Sequence, residues 1–276
     1  MKTVPATRAF AMDALRGLAV LWMTGFHFAF DLNYFGFIHQ DFYNVTLWMV
    51  QRTCILGLFL LCAGAGQALA VASGQSTRDF WRRWSQVAGC AVVVSLGSRA
   101  MFPTSWIYFG VLHGIAVMLV VCRFTAFWGR WLWLAGALAV ALGQAAPQFH
   151  AMWPPLGVFN APALNWLGLV DQKPITEDYV PVLPWLGVMW WGVAAGQWAL
   201  AREWLQAGAQ RSVGASFAAG LPQGKMRPLG GQRPARRWSV GATLAWIGRW
   251  SLSWYMVHQP LLIGLLIALR AAGAGR

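Results

Sequence analysis

LWMVQRTCILGLFLLCAGAGQALAVA, residues 47–72, decides what kind of protein this is. After Arg52 the stretch carries no charge, and about 20 mostly apolar residues suffice for a helix to cross bilayer hydrocarbon. Working outward, comparable runs lie near residues 9–30, 85–102, 106–122, 131–147, 182–201 and 250–269. Together they predict an all-α, polytopic transmembrane helix bundle of about seven spans. Residues 238–249 (WSVGATLAWIGR) read as an interfacial lead-in to the last span rather than a span of their own.

Composition agrees. Of the 276 residues, 58% are hydrophobic and only 11% charged, with mean hydropathy +0.50. Soluble domains carry about 25% charged residues. The shortfall excludes a water-soluble enzyme, a disordered chain and a DNA-binding domain. The net charge of +13 then needs another source. Lys2, Arg8, Arg78, Arg82, Arg83, Arg123, Arg130, Arg202, Arg211, Lys225, Arg227, Arg233, Arg236 and Arg237 fall on one side, against Lys173, Arg270 and Arg276 on the other. Fourteen against three places the N-terminus in the cytoplasm and the C-terminus outside, with no nucleic-acid partner required. Nineteen Trp and sixteen Phe suit rings seated at membrane interfaces, and their faces would permit a homodimer.

The chain reads as one domain, 1–276, with a Gly-, Pro- and Arg-rich cytoplasmic linker at about 203–241 that is either a solvated tether or a segment lying on anionic lipid. Cys54, Cys62, Cys90 and Cys122 sit in apolar runs with no CxxC pair or zinc spacing, so no metal is expected. Asp13 and Arg16 interrupt the first apolar run, so it is expected to stay in the mature protein rather than be cleaved as a signal peptide. No internal repeat of the transporter kind is visible.

Charged groups within spans cost at least ~2.5–3.5 kcal/mol at the bilayer centre and so point to function. Asp13, Arg16, Thr24, His27 and Asp31 follow at intervals of three, eight, three and four residues, which puts them on one helical face with Val20 between. His27 and Asp31 are i,i+4 neighbours, a spacing at which the carboxylate can orient the ring. The plainer reading is that Asp13 and Arg16 neutralise each other while His27 and Asp31 form a packed polar contact. Arg52, Arg99, His113, Asp178 and His258 converge on the outer half, His39 lies on the first outer loop, and only His150 looks incidental. A phosphate loop, a GxSxG elbow and an HExxH motif are all missing, which disfavours the standard hydrolases.

DALRGLAVLWMTGFHFAFDLNYFG (13–36), FGVLHGIAV (109–117), DYVPVLPWLGV (178–188) and GRWSLSWYMVHQP (248–260) resemble, in that order, the signature blocks of the heparan-α-glucosaminide N-acetyltransferase-like membrane proteins. The resemblance implies a membrane acyltransferase, in bacteria an inner-membrane protein. In the lysosomal enzyme of that family, cytosolic acetyl-CoA supplies an acetyl group to a glucosamine amine on the far side, and a histidine near the far end of the first span is implicated. That role carries onto either His27 or His39. The wider superfamily includes enzymes that O-acylate surface polysaccharides. The chain lacks a large luminal domain, so the acceptor is a sugar amine or hydroxyl that the resemblance does not name.

On this reading Asp13, Arg16 and Arg249 hold the donor acetyl-CoA, whose arm runs along the polar stripe, and His27 or His39 with Asp31 handles the proton. Arg52, Arg99, His113, Asp178 and His258 hold the acceptor or the oxyanion. Two alternatives use the same residues. A proton-coupled permease would use a His–Asp relay, and a non-catalytic scaffold would need the stripe for stability alone.

Overall fold

A computed structural model describes residues 6–202 and 239–273, with side chains from residue 10 onward. Among the described residues eight α-helices follow in order: α1 Ala6–Tyr34, α2 Thr46–Ala72, α3 Thr77–Met101, α4 Val111–Thr125, α5 Trp131–Met152, α6 Val182–Ala201, α7 Val240–Arg249 and α8 Ser251–Ala271. Among the described residues there is no strand, only an isolated bridge between Phe109 and Tyr179. The all-α expectation holds. Among the described residues four helical stretches are long and apolar enough to cross a membrane on length and composition: Thr46–Ala72, Val111–Trp128, Trp131–Met152 and Ser251–Ala271. Charges dilute α1 and the first turns of α3, while α6 is diluted by Trp185, Trp190, Trp191 and Trp198.

Helix ends depart from the expected spans for local reasons. Ser76 caps α3 by accepting from the Asp79 N–H, so the helix starts well before residue 85, in a polar turn that hydropathy skips. Residues 106–110 are not helical. The Ile107 N–H donates to Ser98 Oγ, while Ser95 Oγ–H donates to Ile107 O, so α3 holds this segment extended. Helix α5 continues through Pro147 to Met152. The expected lead-in at 238–249 is a discrete ten-residue helix, about 15 Å long and too short to span. Most of the linker at 203–241 lies outside the described residues, as do Lys2 and Arg276.

Contacts between connections define two ends of the bundle. At one end Arg123 Nη2 donates to Gln75 O, and Gln197 Nε2 donates to Ala126 O. At the other, the Glu177 N–H donates to Ser105 O, Asn165 Nδ2 donates to Tyr108 Oη, and Tyr34 meets Phe102 edge-on. Thr24–Trp254, His27–His258 and Asp31–Gln259 pair in rising order, so α8 runs parallel to α1. Helix α1 therefore begins at one end of the bundle and α8 finishes at the other.

The core is built on α6. Leu186, Met189 and Val193 pack with Leu56 and Leu60 of α2, Met118 and Cys122 of α4, and Leu132 of α5. Small residues permit this closeness, since association in lipid relies on backbone approach rather than on hydrophobic driving force. A Cβ on Gly192 would meet Leu61 O, and one on Gly64 would meet Met189 O. The same device joins α1 to α7, where Gly17 lies against Leu244 O and Gly248 against Asp13 O.

Gly192→Val should therefore overpack the α2–α6 crossing and cost ~1–3 kcal/mol or more. Gly25, whose Cβ would meet nothing, should accept alanine without loss. Thermal unfolding in nanodiscs checks both, and equal melting temperatures for Gly192→Val and wild type would contradict this packing.

Candidate active site

The polar stripe of α1 forms as the spacing predicts. Asp13, Val20 and Asp31 are buried, Arg16, Thr24 and His27 are half-buried, and Leu15, Leu18, Leu21 and Phe28 are exposed on the other side. Its lower pair is an ion pair, with Arg16 Nη1 at 3.5 Å from Asp13 Oδ1. Arg249 ends α7 exposed to solvent but close enough to act on Asp13 electrostatically.

The upper residues pair across helices instead of with each other. No hydrogen bond joins His27 to Asp31. Trp254 Nε1 donates to Thr24 Oγ at 2.9 Å, and Gln259 Nε2 donates to Asp31 Oδ1 at 2.8 Å. The His27 ring meets His258 edge-on, with centroids 5.2 Å apart. His258 Nδ1 lies 2.9 Å from Tyr255 O and 3.2 Å from Trp254 O. Carbonyls only accept, so Nδ1 carries the proton and Nε2 keeps its lone pair. Nε2 is buried and has no partner. That is the arrangement of an oriented base.

A cavity of about 240 Å³ lies elsewhere, lined by α2, α3, α4 and α8 with Arg16 as its contribution from α1. Along α2 it runs from Ala70 to Phe59, about 16 Å at the helical rise. Gly66 makes room for the Arg16 guanidinium, since a Cβ there would strike Nη2. Gln67 Nε2 and Gln75 Oε1 line the cavity as an unpartnered donor and acceptor. Tyr255 and the first turn of α4 line it too. A surface pocket of about 350 Å³ beside Asp79, Arg82 and Arg83 shares Ala70, Gln75 and Arg83 with the lining of the cavity, so the two adjoin. Thr24, His27 and Asp31 do not line the cavity, so the expectation that a donor arm follows the whole stripe narrows to Arg16.

Other predicted residues separate by their partners. His113 is fully engaged. The Gly110 N–H donates to its Nδ1, so Nε2 carries the proton and donates to Ser95 Oγ, which donates to Ile107 O. This ring clamps the α3–α4 connection. Arg99 lies over Trp106 at 5.3 Å. His39 is exposed on the first loop with no hydrogen bond to a described residue. His150 is buried, with Nε2 at 2.9 Å from Leu169 O and Nδ1 at 3.8 Å from Asp171, and ties α5 to the loop that follows it.

Asp178 does double duty. Its Oδ2 accepts from the Val111 N–H at 2.7 Å and so caps α4 from 67 residues away, and Gly110 is needed because a Cβ would strike that carboxylate. Burial pushes the Asp178 carboxyl above the usual range, against the pull of the Val111 N–H, Lys173 and Arg52. Burial, with Arg52 next, holds Lys173 below its usual range, against Asp178 and Glu177. Arg52, Lys173, Glu177 and Asp178 thus share one mixed-charge patch beside Tyr43.

Residues 8–229 match the family described as heparan-alpha-glucosaminide N-acetyltransferase, catalytic. The chain belongs to that family. It is a family of membrane acetyltransferases, and three of the four signature blocks fall within the match. The fourth, residues 248–260, which carries Tyr255 and His258, lies beyond it. Neither the curated proteins nor the solved structures hold a significant match.

Gln67, Gln75, Tyr255 and Gln259 were missed from the sequence because neutral polar residues in apolar runs carry no charge signal. The i+8 spacing of Gln67 and Gln75 on either side of a helix end was the available cue.

Because folding raises the Asp178 pKa, its neutral form is favoured in the native state. Stability from that preference is full below the unfolded pKa and is lost as pH rises through the folded value. Asp178→Asn, which stays neutral and can still cap α4, should match wild type in acid and melt higher at neutral pH. Parallel melting curves at all pH values would contradict this.

Proposed function

We propose that the protein transfers an acetyl group from cytoplasmic acetyl-CoA to an amine or hydroxyl of a sugar on the outer side of a bacterial inner membrane. The carrying observation is the cavity that begins at the basic pocket of Arg82 and Arg83 and ends deep in the bundle beside Tyr255, whose own helix presents the bare Nε2 of His258. Basic residues at the mouth suit the donor's phosphates. The unpartnered amides of Gln67 and Gln75 suit an arm that carries amide donors and acceptors of its own.

The supporting topology is seven crossings by α1–α6 and α8, N-terminus inside and C-terminus outside, in line with the basic-residue asymmetry and with α8 running parallel to α1. Arg52, Arg99, Lys173 and Asp178 then lie on the outer side, where they would meet the acceptor. A base within reach of the thioester removes the acceptor's proton, the new bond forms to the acetyl carbon, and the C–S bond breaks as the thiolate takes a proton. His258 with His27 is the buried base, and His39 is the exposed one on the acceptor's side. Exposed Trp faces contact lipid and leave room for a homodimer.

Acetyl-CoA should bind the purified protein saturably and in preference to ATP, and Arg16→Ala should weaken binding about tenfold or more, as loss of a charged contact of ~1.5–3 kcal/mol implies. His27→Ala, His39→Ala and His258→Ala, each checked for folding, should include at least one variant with acetyl transfer reduced about 100-fold or more. Full activity in all three would sink the assignment. Substrate flux in proteoliposomes without acetyl-CoA would favour the permease.

A further inference from the structure

Three buried acceptor atoms lie along the α1–α8 seam with nothing to donate to them: Asp31 Oδ2, Gln259 Oε1 and His258 Nε2. Asp31 is 3% exposed and His258 7%. An unmet buried acceptor costs about 1–3 kcal/mol, and surrounding hydrocarbon offers no donor. Acceptors without donors, gathered on one seam, fit a guest that can donate to them, a water molecule or a proton in passage.

The seam also has a direction. Below the histidines, Trp254 Nε1 donates to Thr24 Oγ, and Thr24 in turn donates to Val20 O, so that step is closed by groups that do not titrate. Above them stands Asp31, in the last turn of α1, followed by the loop at Phe35. The titratable groups facing this stretch are His27 and Asp31 from α1, Tyr255 and His258 from α8, and Asp178, which acts on Tyr255 from the loop before α6, with the Asp13–Arg16 pair paired off further down.

We propose that the seam is a proton exit, carrying a proton from His258 and His27 through Asp31 and Gln259 to the outer face during acetyl transfer to an amine. This rests on the acetyl-transfer reading. An acceptor arriving as an ammonium loses two protons on becoming an amide, while the departing thiolate takes one. The balance is R–NH3+ plus acetyl–S–CoA giving R–NH–acetyl, CoA–SH and H+. The N–C bond forms from the nitrogen lone pair as the C–S bond breaks, and the remaining proton leaves by His258 Nε2. A hydroxyl acceptor would leave no proton over, so the path is a mark of amine chemistry. Asp31 acts through the histidines and is a positioning residue of that path.

The test uses the full chain in proteoliposomes with acetyl-CoA and glucosamine as probes, with rates compared in H2O and D2O. Asp31→Asn keeps an oxygen for the Gln259 hydrogen bond but cannot relay. It should lose about tenfold or more in kcat at unchanged KM for acetyl-CoA, with a larger solvent isotope ratio, and Asp31→Glu should restore most of the rate. Wild-type kcat in Asp31→Asn overturns the path. So does a loss with an unchanged isotope ratio, or one that Asp31→Glu leaves in place. A wild type that transfers no acetyl group overturns the underlying reading together with the path, and the wild-type rate alone tells the two failures apart.

Discussion

A charge facing lipid at the bilayer centre costs at least ~2.5–3.5 kcal/mol, and α1 carries Asp13, Arg16 and Asp31 along one face. That face has to be covered over its whole length. Helix α7 covers the lower part, closely enough that Gly17 and Gly248 cannot bear side chains, and α8 covers the upper part with Trp254, His258 and Gln259. Arg16 alone leaves the seam, slipping past Gly66 into the cavity. The cover that shelters the stripe also supplies the fourth wall of that cavity through Ser251, Leu252 and Tyr255. Shelter and site are one construction.

Hydrogen-bond accounting separates the histidines. His113 and His150 spend their ring nitrogens on neighbouring loops, and both act as fasteners. His258 spends one nitrogen to fix its tautomer and leaves the other bare in a buried place. Full satisfaction is what stability asks of a buried polar group. A bare lone pair, held in one orientation, is what proton chemistry asks. The same contrast holds between Gln197 Nε2, which donates to Ala126 O, and Gln67 Nε2, which faces the cavity without a partner.

Much of the architecture was legible in the chain. Apolar run lengths located α2 and α6 to within a residue, because both are long and mostly apolar between polar flanks. The stripe on α1 was legible for the complementary reason, a period that shows through only when the rest of the helix is apolar. The start of α3 was hidden because its first turns stand among Arg and Asp residues, where a Ser76 cap, and not hydropathy, sets the boundary. The pairing of α1 with α8 was not legible. Spacing within a helix says which residues share a face but not what that face meets, so His27 was paired with Asp31 when its ring partner is His258.

Thr24 and Trp254 are separated by 230 residues, most of the length of the chain. A ribosome delivers α1 first and α8 last, so during synthesis the charged face of the first helix waits without its final cover. Contacts this distant in sequence are slow to form and leave intermediates vulnerable. The helices between them can pack earlier, but the α1–α8 seam closes only when α8 arrives beside α1.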